Sequence, residues 1–202
     1  MNLIDVSTCR LKMIVLLTLA LLLSACAGTK VLVKEASKER VDTVDAQVVQ
    51  QYKNGLELQK KGKHEQAIAI YEALHQRHPG YIGPLVNLGI IAMKQERFEE
   101  AKHYFFQVIE LEAQQKQALN YLGMLARING EFEQAEVYYR QALAVDPNYP
   151  DAVRNLGILL DLYRGRFEEA LTLYEHYQSL QTDPDPQIKD WIFDTKNRLQ
   201  AQ

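Results

Sequence analysis

Residues 118–149 read ALNYLGMLARINGEFEQAEVYYRQALAVDPNY, and this stretch decides the fold. Apolar residues recur in it at three- and four-residue spacing, the pattern of an amphipathic helix. The spacing predicts one helix from about Gln117 to Asn129 and a turn at Gly130. A second helix is predicted from about Glu131 to Val145, because Asp146 precedes Pro147 and a residue before proline avoids helical geometry. The stretch therefore predicts a pair of helices joined by a tight turn.

The same pattern recurs along the chain with a period of 34 residues. Small residues stand where two helices would approach closely, and an aromatic residue four positions after each repeated alanine fills the space between them. In the fourth copy the alanine and the aromatic come one residue later. The repeated glycines are Gly55, Gly89, Gly123 and Gly157, the repeated alanines are Ala67, Ala101, Ala135 and Ala170, and the aromatics are Tyr71, Phe105, Tyr139 and Tyr174. A fixed period of this length indicates stacked supersecondary units rather than one globular core.

These residues resemble the tetratricopeptide repeat, which implies an all-α solenoid of helix pairs. Four units fit the period, at 48–81, 82–115, 116–149 and 150–184. An open stack needs an end with a polar outer face. Asp185 and Pro186 have the pattern of an N-cap followed by proline at the first helical position, so residues 185–202 are predicted to form a capping helix that runs to about Leu199.

The amino-terminal segment has a different composition from the repeats. Arg10 and Lys12 precede an uncharged run, Met13 to Leu23, and small residues follow it, as in a secretory signal. The sequence Leu23-Ser24-Ala25-Cys26 resembles the bacterial lipobox. The resemblance implies that residues 1–25 are a signal peptide, that Cys26 carries covalent lipid as the only cofactor, and that residues 26–47 form a lipidated tether. The alternative is an ordinary signal peptide with a chance cysteine.

The residue that follows Cys26 is Ala27 rather than the aspartate that retains enteric lipoproteins in the inner membrane. By this resemblance we expect the bacterial cell envelope as the location, anchored in the outer membrane and facing the periplasm. Removal of residues 1–25 would leave 21 basic and 25 acidic side chains, a net charge of −4. The chain lacks the basic excess of a nucleic-acid-binding protein, so no nucleic-acid partner is expected.

No catalytic constellation is recognisable in the sequence. His75 and His78 could share a helix face, but no third ligand follows at a metal-site spacing. Glu99 and Glu100 fall in the first turn of a predicted helix, where acidic residues suit the helix dipole. We therefore expect neither an enzyme nor a metal site.

The expected function is protein–protein interaction. In tetratricopeptide proteins a partner binds a groove lined by positions 2, 5, 9, 12 and 13 of each first helix. The resemblance carries this role to Tyr52, Leu56, Val86, Ile90, Met93, Lys94, Asn120, Met124, Arg127, Arg154 and Ile158. The result is an apolar strip with methionines at its middle and basic edges, suited to a partner segment with apolar anchors and some acidic character. Some of these residues could instead pack neighbouring units.

The combination of repeats and lipobox resembles bacterial tetratricopeptide-repeat lipoproteins, and more distantly the secretin pilotins of type IV pili. It implies an outer-membrane-tethered periplasmic scaffold or adaptor in envelope assembly, with pilus or secretin biogenesis as one such role. Its partner would be a segment of an envelope protein. Two alternatives are a structural envelope lipoprotein that associates with itself and an adaptor for peptidoglycan enzymes.

Overall fold

A computed structural model describes residues 46–201 of the 202-residue chain. The predicted signal peptide, Cys26 and nearly all of the predicted tether lie outside these residues. The chain divides into two compact units, Met1–Val49 and Gln50–Gln202. In the first unit the described residues are 46–49, which form the opening turn of a helix. The second unit contains the helix pairs.

The described part of the chain is entirely α-helical. Its helices are α1 (Ala46–Lys60), α2 (His64–Arg77), α3 (Ile82–Lys94), α4 (Phe98–Leu111), α5 (Lys116–Ile128), α6 (Phe132–Val145), α7 (Pro150–Leu162), α8 (Phe167–Ser179) and α9 (Pro186–Gln200). None of the helices in residues 46–201 is long and apolar enough to cross a membrane.

The first eight helices form four consecutive pairs, α1–α2, α3–α4, α5–α6 and α7–α8. In each pair we call the helix that comes first in the chain the first helix and the other the second helix. The predicted first helix of the third unit is α5, displaced by one residue, and the second helix is α6. The expectation of an all-α stack of helix pairs is confirmed for residues 46–201. The predicted capping helix corresponds to α9, where the Asp185 carboxylate accepts a hydrogen bond of 3.0 Å from the backbone N–H of Gln187.

A glycine of each first helix packs against the aromatic ring of its own second helix. A Cβ on Gly123 would lie 2.5 Å from the Tyr139 ring, and a Cβ on Gly89 would lie 2.7 Å from Phe105. Such contacts are well inside van der Waals distance, so only glycine permits this approach. Gly55 and Gly157 meet Tyr71 and Tyr174 in the same way, and Ala67, Ala101, Ala135 and Ala170 are fully buried beside them.

The turn between the two helices of a unit needs one residue with left-handed backbone. Gly62, Gly130 and Gly165 supply it in three units with φ of 72°, 79° and 63°. In the second unit the same place is taken by Glu96 with φ of 58°. A side chain there is strained, because the left-handed region brings Cβ close to the following carbonyl oxygen.

The carboxyl-terminal end of the stack is covered by α9, which packs on α8. Ile188 is fully buried, and the Trp191 ring lies 5.6 Å from the ring of Tyr174. The outward side of α9 is mostly polar, although Phe193 is 64% exposed. Helix α9 thus supplies the polar end that an open stack requires.

Candidate protein-binding face

The first helices of neighbouring units lie side by side and are joined by asparagine hydrogen bonds. The Asn87 amide on α3 donates to the Tyr52 hydroxyl on α1 at 2.7 Å. The Asn155 amide on α7 donates to the Asn120 side-chain oxygen on α5 at 3.0 Å. Equivalent positions of successive first helices therefore share one face of the stack, which we call the first-helix face.

An apolar row crosses this face. The residue after each repeated glycine is apolar, and these residues are 34 apart: Leu56, Ile90, Met124 and Ile158. Leu56 is 39% exposed, whereas the other three are partly buried against the core beneath them. We call these four residues the apolar row. Partly exposed apolar side chains aligned over four helices form a continuous surface on which an apolar partner could pack.

A basic row runs beside the apolar row. Lys60, Lys94 and Arg127 stand in the last turns of α1, α3 and α5, three or four residues after the apolar row. That spacing is about one helical turn, roughly 5.4 Å. Within residues 46–201, no carboxylate forms an ion pair with any of these three side chains, nor with Arg154 on α7. These four basic side chains therefore have no acidic partner in the described part of the chain.

The structure corrects two of the predicted partner-binding residues, Val86 and Asn120, and shows that a third, Tyr52, contacts the next unit. Val86 is 5% exposed and Asn120 is 2% exposed, because neighbouring helices cover this position in the second and third units. Tyr52 packs on the next unit, where its ring would lie 3.0 Å from a Cβ on Gly83 and lies 5.2 Å from the ring of Tyr81. Burial raises the pKa of Tyr52, partly offset by the hydrogen bond from Asn87. Val86 and Asn120 are therefore not free to hold a partner, whereas the half-buried Tyr52 contacts the next unit and keeps part of its surface accessible.

The other predicted residues remain accessible to different extents. Lys94 and Leu56 are exposed, and Met93, Arg154 and Ile158 are half-buried. Arg127 is half-buried as well, with its guanidinium 5.9 Å from the ring centre of Tyr163. Such a cation–π contact orients the group without neutralising its charge. The accessible surface thus consists of the apolar row, the basic row, Met93 and Arg154.

In the fourth unit the first-helix face carries a carboxylate that is already paired with α9. Asp161 occupies the position that Met93 and Arg127 hold in earlier units, and its side chain is 3% exposed. Arg198 of α9 lies 2.6 Å from the carboxylate, and the hydroxyls of Tyr174 and Thr195 donate to it. Burial raises the pKa of Tyr174, and the nearby Asp161 charge raises it further. Sequence reasoning missed this contact, although a carboxylate inside an apolar helix and an arginine in the last turn of α9 were its visible signals.

The opposite side of the stack is formed by the second helices and the turns before them. On this side several arginines form ion pairs with glutamates. Arg140 and Arg166 both contact Glu136 and Glu169, while Arg164 contacts Glu133. Burial alone would raise the pKa of Glu136, but hydrogen bonds and charges from Arg140 and Arg166 outweigh it and lower the pKa. On this side, which we call the second-helix face, these ion pairs join the third and fourth units.

The described residues contain no group of three His, Cys, Asp or Glu side chains placed to hold a metal ion. What the geometry offers is an extended face for another polypeptide. A row of stacked helix pairs with such a face defines an α-solenoid.

The particular class follows from family models described as tetratricopeptide repeat, which match residues 58–128 and 117–149. Residues 58–149 therefore consist of tetratricopeptide repeats, and this repeat is a non-catalytic protein-interaction scaffold. A comparison with curated protein sequences gave no match.

Solved structures show the same fold. A structure of Pseudomonas aeruginosa pilF is similar with a TM-score of 0.67 and 17% sequence identity, covering 76% of this chain and 69% of that one. A crystal structure of MamA gives a TM-score of 0.55 and 24% identity, covering 63% of this chain and 74% of that one. In all, 272 solved chains match, so the fold by itself does not identify a partner.

Proposed function

We propose that this chain is a lipid-anchored scaffold of the bacterial cell envelope that binds a segment of an envelope protein on its first-helix face. The observation that carries the binding role is the apolar row, which is partly exposed on four successive first helices. On the second-helix face, by contrast, Arg140 and Arg166 pair with Glu136 and Glu169 between the third and fourth units.

The envelope location rests on the sequence Leu23-Ser24-Ala25-Cys26. Acylation of Cys26 and of the new amino terminus would give more than one acyl chain, and more than one chain is needed for stable anchoring. Ala27 favours the outer membrane, with the repeats on the periplasmic side. The likeness to Pseudomonas aeruginosa pilF supports type IV pilus or secretin biogenesis as the specific role.

Anchoring is tested by fractionating cells that express the wild-type chain or Cys26→Ser. We expect the wild-type chain in outer-membrane fractions with incorporated radiolabelled fatty acid, and the variant without label. Equal labelling of both chains would contradict the lipid anchor.

Binding is tested by placing a photo-cross-linking amino acid at Ile90 in intact cells. We expect a cross-link to one exported envelope protein, identified by mass spectrometry, and its loss in the Met93→Glu/Met124→Glu double variant. The matched control is Leu111→Glu/Val137→Glu, because these side chains are 52% and 46% exposed on second helices.

Each other outcome has a defined meaning. A cross-link to a second copy of the chain would support the self-associating alternative. A cross-link that survives the methionine substitutions, or that is equally strong from Val137, would exclude the first-helix face as the binding surface.

A further inference from the structure

The two rows of the first-helix face restrict the shape of the segment that could lie on them. The apolar row and the basic row are parallel and about one helical turn, roughly 5.4 Å, apart. The matching partner must therefore present an apolar line and a charged line on the same side. A β-strand shows alternate residues on one face in a single line. An α-helix can carry adjacent apolar and charged stripes along its length.

The charge that the partner must carry is also defined. Lys60 and Lys94 are exposed and form no ion pair within residues 46–201, and Arg127 and Arg154 are half-buried with none. Asp161 is already paired with Arg198 and buried under α9, and the exposed Asp151 stands in the first turn of α7, at the opposite end of the helix from the basic row. The first-helix face is therefore electropositive although the whole chain has a net charge of −3. Complementary charge on a partner would be acidic.

We propose that the first-helix face binds an acidic amphipathic helix laid across α1, α3, α5 and α7. Its apolar stripe packs on Leu56, Ile90, Met124 and Ile158, and its carboxylates pair with Lys60, Lys94 and Arg127. On α5 and α7 the positions equivalent to Lys60 and Lys94 are Ile128 and Leu162, which are 46% and 61% exposed, so that end of the partner is more apolar. This inference rests on the proposed function and specifies the chemistry of its partner.

The length of the partner follows from helix packing. Neighbouring helix axes lie about 8–10 Å apart, so the four first helices extend over roughly 30 Å. A helix of about 20 residues has that length, at about 1.5 Å for each residue. A synthetic peptide of about this size is therefore a sufficient probe.

The experiment measures binding of fluorescent peptides to the full chain held in neutral detergent micelles. The first peptide carries leucines at i, i+3 or i+4, and i+7, with glutamates along one flank. The second replaces every glutamate with lysine, and the third has proline at its centre. We expect the acidic peptide to bind at least about tenfold more tightly than the other two, and to weaken as salt concentration rises.

Variants of the chain assign the effect to the two rows. Lys60→Glu/Lys94→Glu should weaken the acidic peptide about tenfold or more and strengthen the lysine peptide. Lys63→Glu/Lys189→Glu makes the same change in net charge at exposed lysines outside both rows and should leave binding unchanged. Equal binding of the acidic and lysine peptides, or equal effects of the two double variants, would overturn the charge assignment.

Other results would overturn different parts of the proposal. Undiminished binding of the proline peptide would mean an extended partner and not a helix. In nanodiscs, loss of peptide binding only when the lipids are anionic would mean that the basic row docks on the membrane surface. If cross-linking from Ile90 in cells depends on the methionines while the acidic peptide fails to bind, the partner chemistry is wrong and the proposed function stands.

Discussion

The two faces of the repeat stack contain the same kinds of charged side chain but pair them differently. On the second-helix face, Arg140 and Arg166 share Glu136 and Glu169, so the charges are satisfied within the chain. On the first-helix face, Lys60 and Lys94 lie in the open with no acidic partner in the described residues. A surface whose charges are paired internally serves stability, whereas unpaired charges beside an apolar row are available to a ligand. The difference separates the ion-paired part of the second-helix face from the face that we propose as the binding side.

The largest effect is expected at the glycine contacts that hold the two faces together. Gly123→Val should destabilise the chain by about 3 kcal/mol, because even a Cβ there would lie 2.5 Å from the Tyr139 ring. Gly80→Val is the control, since nothing lies within 4 Å of a Cβ at that site, and should cost at most about 0.5 kcal/mol. Chemical denaturation followed by circular dichroism measures both. Similar losses would mean that the two faces are not joined through this contact.

The next effect is expected where the first-helix face does contain a paired carboxylate. Arg198→Ala should destabilise the chain by about 2 kcal/mol, because it leaves Asp161 buried without its cation. The cost is below that of a fully buried pair, since Arg198 is 39% exposed and two hydroxyls still donate to Asp161. Thermal unfolding of Arg198→Ala and of the conservative Arg198→Lys measures it. An unchanged melting temperature in both would show that α9 is held by Ile188 and Trp191 alone.

The ion pairs of the second-helix face should contribute less and should depend on pH. Arg140→Ala/Arg166→Ala should cost about 1 kcal/mol at low salt and little at high salt. The pKa of Glu136 is lowered in the folded chain from an unfolded value of 4.5, so its stabilisation is present above pH 4.5 and is lost as pH falls below it. The double variant should therefore lose stability less steeply on acidification. Parallel curves of unfolding free energy against pH for both proteins would contradict this.

The smallest effect is expected in the turn between α3 and α4. Glu96→Gly should stabilise the chain by about 1 kcal/mol, because φ is 58° at a non-glycine residue. Gly130→Ala makes the opposite change in the next unit, where φ is 79°, and should destabilise by a similar amount. Neither change touches the apolar row, so peptide binding should be unaffected. If the denaturation midpoints of both variants move in the same direction, the backbone at Glu96 is not strained.

Much of the fold could be predicted from the sequence because each unit is built from local contacts. Gly123, Ala135 and Tyr139 meet within one helix pair, so their spacing alone indicated the pair. Contacts between units were harder to foresee. Position 5 of the first helix, occupied by Val86 and Asn120, is buried by the neighbouring first helix, and no pattern within one unit reports that burial. The ion pair of Asp161 with Arg198 joins residues 37 apart across the last unit and the capping helix, and the period of 34 does not indicate it.

The repeated contact between a glycine and an aromatic ring has a consequence for how such a chain can evolve. Each ring, such as Tyr139 or Phe105, is supplied by the same 34 residues as the glycine beneath it. Duplication or loss of one unit would therefore carry this contact along intact. Each added unit would lengthen the apolar row by one side chain and the partner by about two helical turns. Selection could thus adjust the length of the bound segment in whole steps, without redesigning an existing interior.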